Sequence, residues 1–208
     1  MALTKVRGGG VDNPLTLGGG SASDRSIVFD GNAQDFHIGL DDSTDSLTIG
    51  LGSTLGTTPY MVVDASGHVT KPSNPAFRVT TTGSTNTSSE ATIPYNTELH
   101  DIGNNYNTSN YRFTAPIDGT YSFSAAHWHN TGTAGMVYVK VYLNGVLNAE
   151  FRSTRDQSDN EYHRIYANAE INLSSGDYVE IRGGGANGGE FHSSQGQQYS
   201  YFAGHLIG

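Results

Sequence analysis

Short runs of β-forming residues, each ended by turn residues, recur along this 208-residue chain. Tyr138–Leu143 reads YVKVYL and stops at Asn144-Gly145, a pair that is typical of tight hairpins. Thr120–Ser124 alternates large apolar with small polar residues, as a half-buried strand does. Apolar residues almost nowhere recur at helical spacing, because Gly, Ser, Thr and Asn interrupt the windows. The sequence therefore predicts an all-β protein.

The segment Lys71–Pro75 marks a change in composition along the chain. Its two prolines favour an extended, non-helical connector, so we predict a proline linker over residues 72–76. Beyond it, over residues 77–208, roughly nine or ten strand-like runs are separated by turn signals about every 8 to 12 residues. This spacing predicts a sandwich or jelly-roll head.

The residues before the linker form a smaller region. Residues 1–25 contain two triple-glycine stretches, and we expect a flexible leader there. Four strand-like runs of about five residues each follow, which are Ser26–Asp30, Asp35–Leu40, Ser46–Leu51 and Tyr60–Asp64. Four short strands bury too little surface to fold alone. We therefore predict that residues 26–71 form a short-stranded β stalk in a homotrimer. A floppy arm is the alternative, which the apolar content disfavours.

Charge and cysteine content exclude several classes of protein. Eleven Lys and Arg against 20 Asp and Glu give a net charge of −9, which disfavours nucleic acid as a partner. The absence of Cys excludes a disulfide scaffold and a thiol nucleophile. No apolar run approaches the ~20 residues that span a bilayer, so we expect no membrane insertion. The first residues lack the apolar stretch of a secretory signal, so we expect a protein made in a cytoplasm.

The tripeptide His127-Trp128-His129 is the most unusual in the chain. In a strand the two histidines share a face and could bind a divalent metal, but no third ligand is adjacent, so we predict no metal and no cofactor. Trp128 could stack on a sugar ring, although core packing is favoured for it. The candidate receptor contacts are these three residues together with polar residues of a later loop: Trp128, His127, His129, Asn187, His192 and Gln195.

Other loops resemble functional motifs only in part. Asp41–Asp45 and Asp156–Glu161 are acidic, but they lack the spacing of a calcium loop and are expected to be solvated turns. Gly183–Gly189 shares only its glycine content with a phosphate loop, and we expect a long mobile loop there. No nucleophile elbow occurs and no pair of acids stands out, so we predict that the protein is not an enzyme. A polysaccharide depolymerase remains a lesser alternative.

Tyr111–Ser124, which reads YRFTAPIDGTYSFS, is the most recognisable segment of the chain. With Pro75–Val79 before it and Ser200–Ile207 near the end, it resembles the globular head of the complement q subcomponent, in the tumour necrosis factor-like superfamily. The resemblance implies a ten-stranded jelly roll that forms a compact trimer, binds through surface loops and has no catalytic role. We expect six aromatic residues to pack inside the sandwich or the trimer: Phe77, Phe113, Tyr121, Phe123, Tyr201 and Phe202.

The leader, Ser26–Asp30 and Asp64–Pro72 resemble trimeric tail-fibre proteins of tailed bacteriophages, which often carry such heads at their distal ends. This second resemblance implies a homotrimeric virion protein assembled in the host cytoplasm. Its N-terminal segment would dock to other virion proteins, and its head would bind a host cell-surface glycan or protein. A capsid decoration protein with the same trimeric fold is the alternative. The missing export signal disfavours a secreted signalling ligand.

Overall fold

The computed structural model describes residues 16–82, 85–86, 89–130, 135–155, 162–185, 190–191 and 199–208. The chain divides into two units between Ser73 and Asn74, within the predicted linker. The first strand of the second unit begins at Ala76, one residue before the predicted start of the head. Every secondary-structure element in the described ranges is a β-strand, so the protein is all-β there. None of these residues forms a helix that could cross a membrane.

The N-terminal unit contains one antiparallel sheet whose five strands follow one another in chain order. The strands are β1 (Arg25–Phe29), β2 (Phe36–Asp41), β3 (Ser46–Leu51), β4 (Pro59–Val63) and β5 (Val69–Thr70). The turn before β3 contains Asp45 at a φ of 51°, and the turn before β5 contains Gly67 at a φ of 85°. Asp and Gly are among the residues that tolerate this left-handed conformation, so the local sequence favours both reversals.

One face of this sheet is buried by the chain of the same unit. The segment after β3 folds back so that His37, 1% exposed, donates its Nδ1–H to the carbonyl of Gly52 at 2.9 Å. Small residues make room for this segment. A Cβ atom on Gly50 would lie 2.6 Å from the carbonyl oxygen of Thr58. The buried face therefore carries polar and small side chains, including Thr48.

The described residues of the head form ten strands in two layers and three further strands of two residues each. In chain order they are β6 (Ala76–Thr80), β7 (Thr85–Asn86), β8 (Ala91–Thr92), β9 (Thr97–Ile102), β10 (Tyr106–Asn107), β11 (Arg112–Thr114), β12 (Gly119–Asn130), β13 (Gly135–Leu143), β14 (Val146–Arg155), β15 (Tyr162–Leu173), β16 (Tyr178–Gly185), β17 (Glu190–Phe191) and β18 (Tyr201–Leu206). The "β12 sheet" has the order β9-β6-β18-β12-β15, and the "β16 sheet" has the order β10-β11-β16-β13-β14. The short strands β7, β8 and β17 pair at the margins. The predicted jelly-roll sandwich is confirmed.

Aromatic rings fill the space between the two sheets of the head. The ring of Phe77 stacks on that of Phe113 and meets Phe202 edge-on, with both centroid distances 4.9 Å. Phe123 also faces this core, and Gly204 on β18 allows its approach, because a Cβ atom there would lie 2.6 Å from the Phe123 ring. Rings at these separations attract one another in addition to the apolar area that they bury.

Of two turn or loop predictions made at glycine-containing segments, one is confirmed and one is wrong in part. The predicted hairpin at Asn144-Gly145 is confirmed, with φ values of 51° and 77° that suit a primed turn. The predicted loop at Gly183–Gly189 is wrong in its first part, because Gly183–Gly185 completes strand β16 and pairs with β13. Packing explains glycine within this strand: a Cβ atom on Gly184 would lie 2.6 Å from the hydroxyl of Tyr138.

Candidate binding surface

The outward face of the β12 sheet carries aromatic side chains that take no part in the core. Because side chains alternate along a strand, burial of Tyr121 and Phe123 on β12 directs Trp128 to the outward face. In the neighbouring row, Ala126 lies between Tyr166 of β15 and Tyr201 of β18. Because the alanine side chain is small, it leaves space on this face for the two tyrosine side chains beside it.

Ring stacking and arginines organise these side chains. The rings of Trp128 and Tyr199 have centroids 4.4 Å apart, and Arg164, directly opposite Trp128, lies 5.1 Å over the Tyr199 ring. Arg164 Nη1 also donates to the hydroxyl of Tyr166 at 3.2 Å, and Tyr166 is 53% exposed. We name Trp128, Tyr166, Tyr199 and Tyr201 the aromatic strip. A partly exposed set of rings with an arginine is typical of contact surfaces.

The strip lies at the end of the head remote from Ala76. Ala76 pairs with His205, and His205 pairs with Ser122, whereas Trp128 lies six residues further along β12. Trp128 lies close to the last residue of β12. Strands β13 and β15 begin at this same end of the head. A shallow groove of about 310 Å³ lies on the same face toward Ala76, and Ser122, Ser124 and Ala203 are among its lining residues.

The structure places the predicted receptor contacts in different environments. Trp128 is partly exposed on the outward face, so the expectation that it packs in the core is wrong. Its backbone N–H donates to Ser200 Oγ at 3.0 Å. His127 is 1% exposed, with its ring edge-on to Tyr95. The expected contact of His127 with a receptor is therefore corrected: its alternate position on β12 turns the side chain into the sandwich. The remaining candidates lie outside what the structure describes, and their role stays a prediction: the side chain of His129, and Asn187, His192 and Gln195.

The six residues predicted to pack divide between core and surface. Five have buried side chains in the hydrophobic core: Phe77, Phe113, Tyr121, Phe123 and Phe202. Tyr201 is half-buried on the outward face, where the guanidinium of Arg78 lies 4.5 Å above its ring. Tyr201 therefore belongs to the aromatic strip and not to the core of the sandwich.

The outward face of the β16 sheet carries a charged cluster that the sequence did not predict. The carboxylate of Glu180, 1% exposed, accepts hydrogen bonds from the Nε atoms of Arg112 and Arg182, both at 2.7 Å. Each guanidinium also covers a tyrosine ring, at 4.1 Å for Tyr178 and 4.0 Å for Tyr142. Arg112 is 68 residues away from Glu180 in the chain, so no local pattern brings the two together.

A second carboxylate extends this cluster. Glu90 accepts a hydrogen bond from Lys140 Nζ at 2.6 Å and another from the hydroxyl of Tyr142. Burial by itself would raise the pKa of Glu90, but these hydrogen bonds and the charges of Lys140 and Arg182 outweigh it and lower the pKa. The hydrogen bond to Glu90 in turn raises the pKa of Lys140. These contacts satisfy the charges, so we interpret the cluster as stabilising the sheet.

The acidic loops offer little chemistry in the described part of the chain. Asp41 Oδ1 accepts hydrogen bonds from the N–H and the hydroxyl of Ser43, at 3.0 and 2.6 Å, and the hydroxyl contact is the main cause that lowers the pKa of Asp41. The carboxylate thus closes a turn, as expected, but Asp41 itself is buried, so the expectation that this group is solvated is wrong. Asp156–Glu161 lies outside the described residues. Among those that are described, no group of three metal-ligating His, Asp or Glu side chains occurs.

Comparison with known families identifies the head. Residues 76–207, more than half of the chain, match the C1q domain. The chain belongs to the C1q domain family. C1q and tumour necrosis factor-like domains form homotrimers, and proteins of this fold are typically structural or ligand-binding proteins. The N-terminal unit lies outside the match to the C1q domain.

Solved structures and one bacterial relative complete the comparison. Murine APRIL at pH 5.0 aligns with a TM-score of 0.51 and 13% identity, over 64% of this chain and 99% of that one, which supports the fold. The globular domain of the zebrafish complement 1qA protein aligns with a TM-score of 0.48 and 19% identity, over 64% and 98% of the two chains. The uncharacterized protein YqcC of Bacillus subtilis (strain 168) is 34% identical over 94 residues, 43% of this chain. The chain spans only 26% of that relative's length.

Proposed function

We propose that this chain is a subunit of a homotrimeric fibre of a tailed bacteriophage, and that its C1q head attaches the virion to a glycan on the host surface. The aromatic strip carries the proposal, because it presents partly exposed rings at the end of the head remote from Ala76. The family's homotrimers and the relative in a bacterium support it. The virion is the proposed location, after assembly in the host cytoplasm.

The chemistry of the strip suits a sugar. Rings such as Trp128 supply flat apolar area for the face of a pyranose, while Arg164 and the Tyr166 hydroxyl supply hydrogen-bonding groups beside it. The net charge of −9 per chain opposes attraction to an anionic cell surface, so stacking and hydrogen bonds are the favoured contacts. The predicted contacts His129, Asn187, His192 and Gln195 would extend this surface.

Three copies would strengthen weak binding. Once one head is bound, the other two meet the surface at a raised effective concentration, so overall avidity exceeds the affinity of a single site. The residues before the head, including the leader over 1–25, would attach the fibre to other virion proteins.

Binding to host cells tests the role of the strip. We expect Trp128→Ala to weaken cell binding of the purified full chain by at least about tenfold, as for an aromatic hot spot. Trp128→Phe keeps a ring for packing and should retain most of the binding. Ile117→Ala is the matched control, because Ile117 is 49% exposed and precedes β12 at the opposite end of the head. Equal binding by Trp128→Ala and Ile117→Ala, with both folded, would contradict the proposal.

Imaging tests the place of the protein in the particle. We expect a gold label on the C-terminus to appear at the tail of the assembled virion. Label on the capsid faces would instead show a decoration protein. Release of reducing ends from host polysaccharide by the purified chain would show a depolymerase.

A further inference from the structure

The sheet of the N-terminal unit exposes an apolar face. Directly opposed residues of antiparallel strands point to the same side, and Ile27, Ile38, Ile49 and Met61 face one another across β1 to β4. Neighbouring rows on this side continue the pattern. The further members of this "apolar face" are Phe29, Phe36, Leu40, Leu47, Leu51, Tyr60, Val63 and Val69.

The described residues of this unit leave these side chains exposed. Phe29 is 60% exposed, Leu47 45% and Ile49 39%, and every member of the apolar face is at least partly exposed. The polar side of the same sheet is already covered by the segment that follows β3. Within residues 16–73, the part of the unit that the structure describes, no second layer lies against the apolar rows. A contiguous apolar surface of this kind marks an interaction site.

We propose that the apolar face packs against the same face of two further copies of this chain, so that three sheets enclose one shared core. Domains of the C1q family form homotrimers, so two more copies are held nearby when the head assembles. The two units of one chain are adjacent in sequence at Ser73 and Asn74, so head assembly raises the effective concentration of the apolar faces for one another. This inference deepens the proposed function and rests on its homotrimeric assembly, but it concerns the other unit and does not depend on glycan binding.

The charges of the unit favour copies of the chain over a lipid surface. Residues 16–73 contain seven Asp and no Glu, against one Arg and one Lys, which gives 2 − 7 = −5. Surfaces that lie on anionic membranes carry Lys and Arg around their apolar side chains, so this unit has the wrong sign. When identical apolar faces pack together, no like charges meet at the centre of the contact. The charged residue on this side of the sheet, Arg25, lies at a corner, at the start of the edge strand β1.

Single cysteines provide a direct test, since the natural chain has none. Ile49→Cys places a thiol on the central strand of the apolar face, and Ser66→Cys places one on the exposed turn before β5. In the purified full chain we expect maleimide to label Ile49→Cys at least about tenfold more slowly than Ser66→Cys, because buried groups react through rare openings. Mild oxidation should link Ile49→Cys chains into disulfide pairs and leave Ser66→Cys chains unlinked.

Other outcomes would overturn the proposal. Equal labelling rates would show that the apolar face is open to solvent. Slow labelling without disulfide pairs would show that something other than a second copy covers it. Labelling that slows only after addition of phosphatidylglycerol vesicles would identify a membrane as the occupant. Because the glycan assay reports on Trp128, cell binding by chains with an open apolar face would leave the proposed function intact.

A charge variant separates this contact from assembly of the head. Ile49→Asp puts a carboxylate at the centre of the apolar face, and we expect amide protection of β2 and β3 to be lost while that of β12 persists. Val146→Asp, at a site 70% exposed in the head, is the matched control and should leave both regions protected. Undiminished protection of β2 and β3 in Ile49→Asp would contradict the shared core.

Discussion

The two units of this chain use the same alternating pattern in opposite ways. In the head, β12 buries Tyr121 and Phe123 and turns the serines between and after them outward. In the N-terminal unit, β3 buries Ser46 and Thr48 and leaves Leu47 exposed. In the described residues, the head has two sheets that cover each other, whereas the N-terminal unit has one. An apolar row therefore defines a face that needs a partner, but the partner need not belong to the same chain.

This difference predicts different sources of stability. The head has a hydrophobic core of its own, centred on stacked aromatic rings such as Phe77 and Phe113. The N-terminal sheet has hydrogen-bonded strands and a covered polar face, but its apolar rows gain little free energy until a partner buries them, and we propose that this partner is two further copies of the chain. Variants in the head should therefore act within one subunit, and variants on the apolar face should act through assembly.

The largest effect should come from the core of the head. Phe202 is fully buried against the ring of Phe77, so Phe202→Ala should lower the free energy of unfolding by about 3–5 kcal/mol. Ile207→Ala is the control, because Ile207 is 51% exposed at the end of the same segment. Denaturant unfolding of the head measures both. Similar losses for the two variants would show that the head lacks the self-contained core on which the comparison depends.

A smaller effect should follow from overfilling the same core. A Cβ atom on Gly204 would lie 2.6 Å from the Phe123 ring and 2.8 Å from the Phe77 ring. Gly204→Ala should therefore cost about 1–3 kcal/mol, as overpacked cores do. Gly208→Ala adds the same methyl group where no atom lies within 4 Å and should change little. A Gly204→Ala head as stable as the Gly208→Ala head would mean that these rings have room to move.

The smallest of these effects concerns the charged cluster and depends on pH. The folded state lowers the pKa of Glu90 below its usual 4.5, so its contribution is fully present above about pH 4.5 and is lost as the pH falls through the folded pKa. Glu90→Gln should cost about 1–2 kcal/mol at pH 7, and the difference from the natural chain should shrink in acid. Glu170→Gln, on an exposed carboxylate, is the control. A pH-independent difference for Glu90→Gln would argue against this role.

Local patterns predicted the four longer strands of the N-terminal unit, parts of β12 and β13, and the sandwich architecture of the head. The hairpin at Asn144-Gly145 and the alternation along β12 depend on residues that are neighbours in sequence, so they are readable from it. The resemblance of several segments to C1q heads implied a ten-stranded jelly roll, and residues 76–207 match that family. The glycines at the end of β16 were mistaken for a loop, because the need for glycine arises from Tyr138 on the neighbouring strand.

The candidate binding surface was less predictable, because it depends on distant pairings. Trp128 and His127 are adjacent in sequence, yet the strand turns one to the surface and the other into the core. The partners that make the aromatic strip, Tyr166 and Tyr199, come from β15 and from the residues before β18, so no local pattern could collect them. The burial of Glu180 was missed for the same reason, since its arginine partners stand on two different strands.

Hydrogen exchange over a dilution series tests most directly whether the two units differ in this way. The full chain would be followed by mass spectrometry at concentrations that sedimentation shows to span assembled and single subunits. We predict that amides of β2 and β3, residues 36–51, lose protection as the subunits separate, while amides of β12 in the head stay protected. Equal protection of residues 36–51 in single subunits would contradict the account.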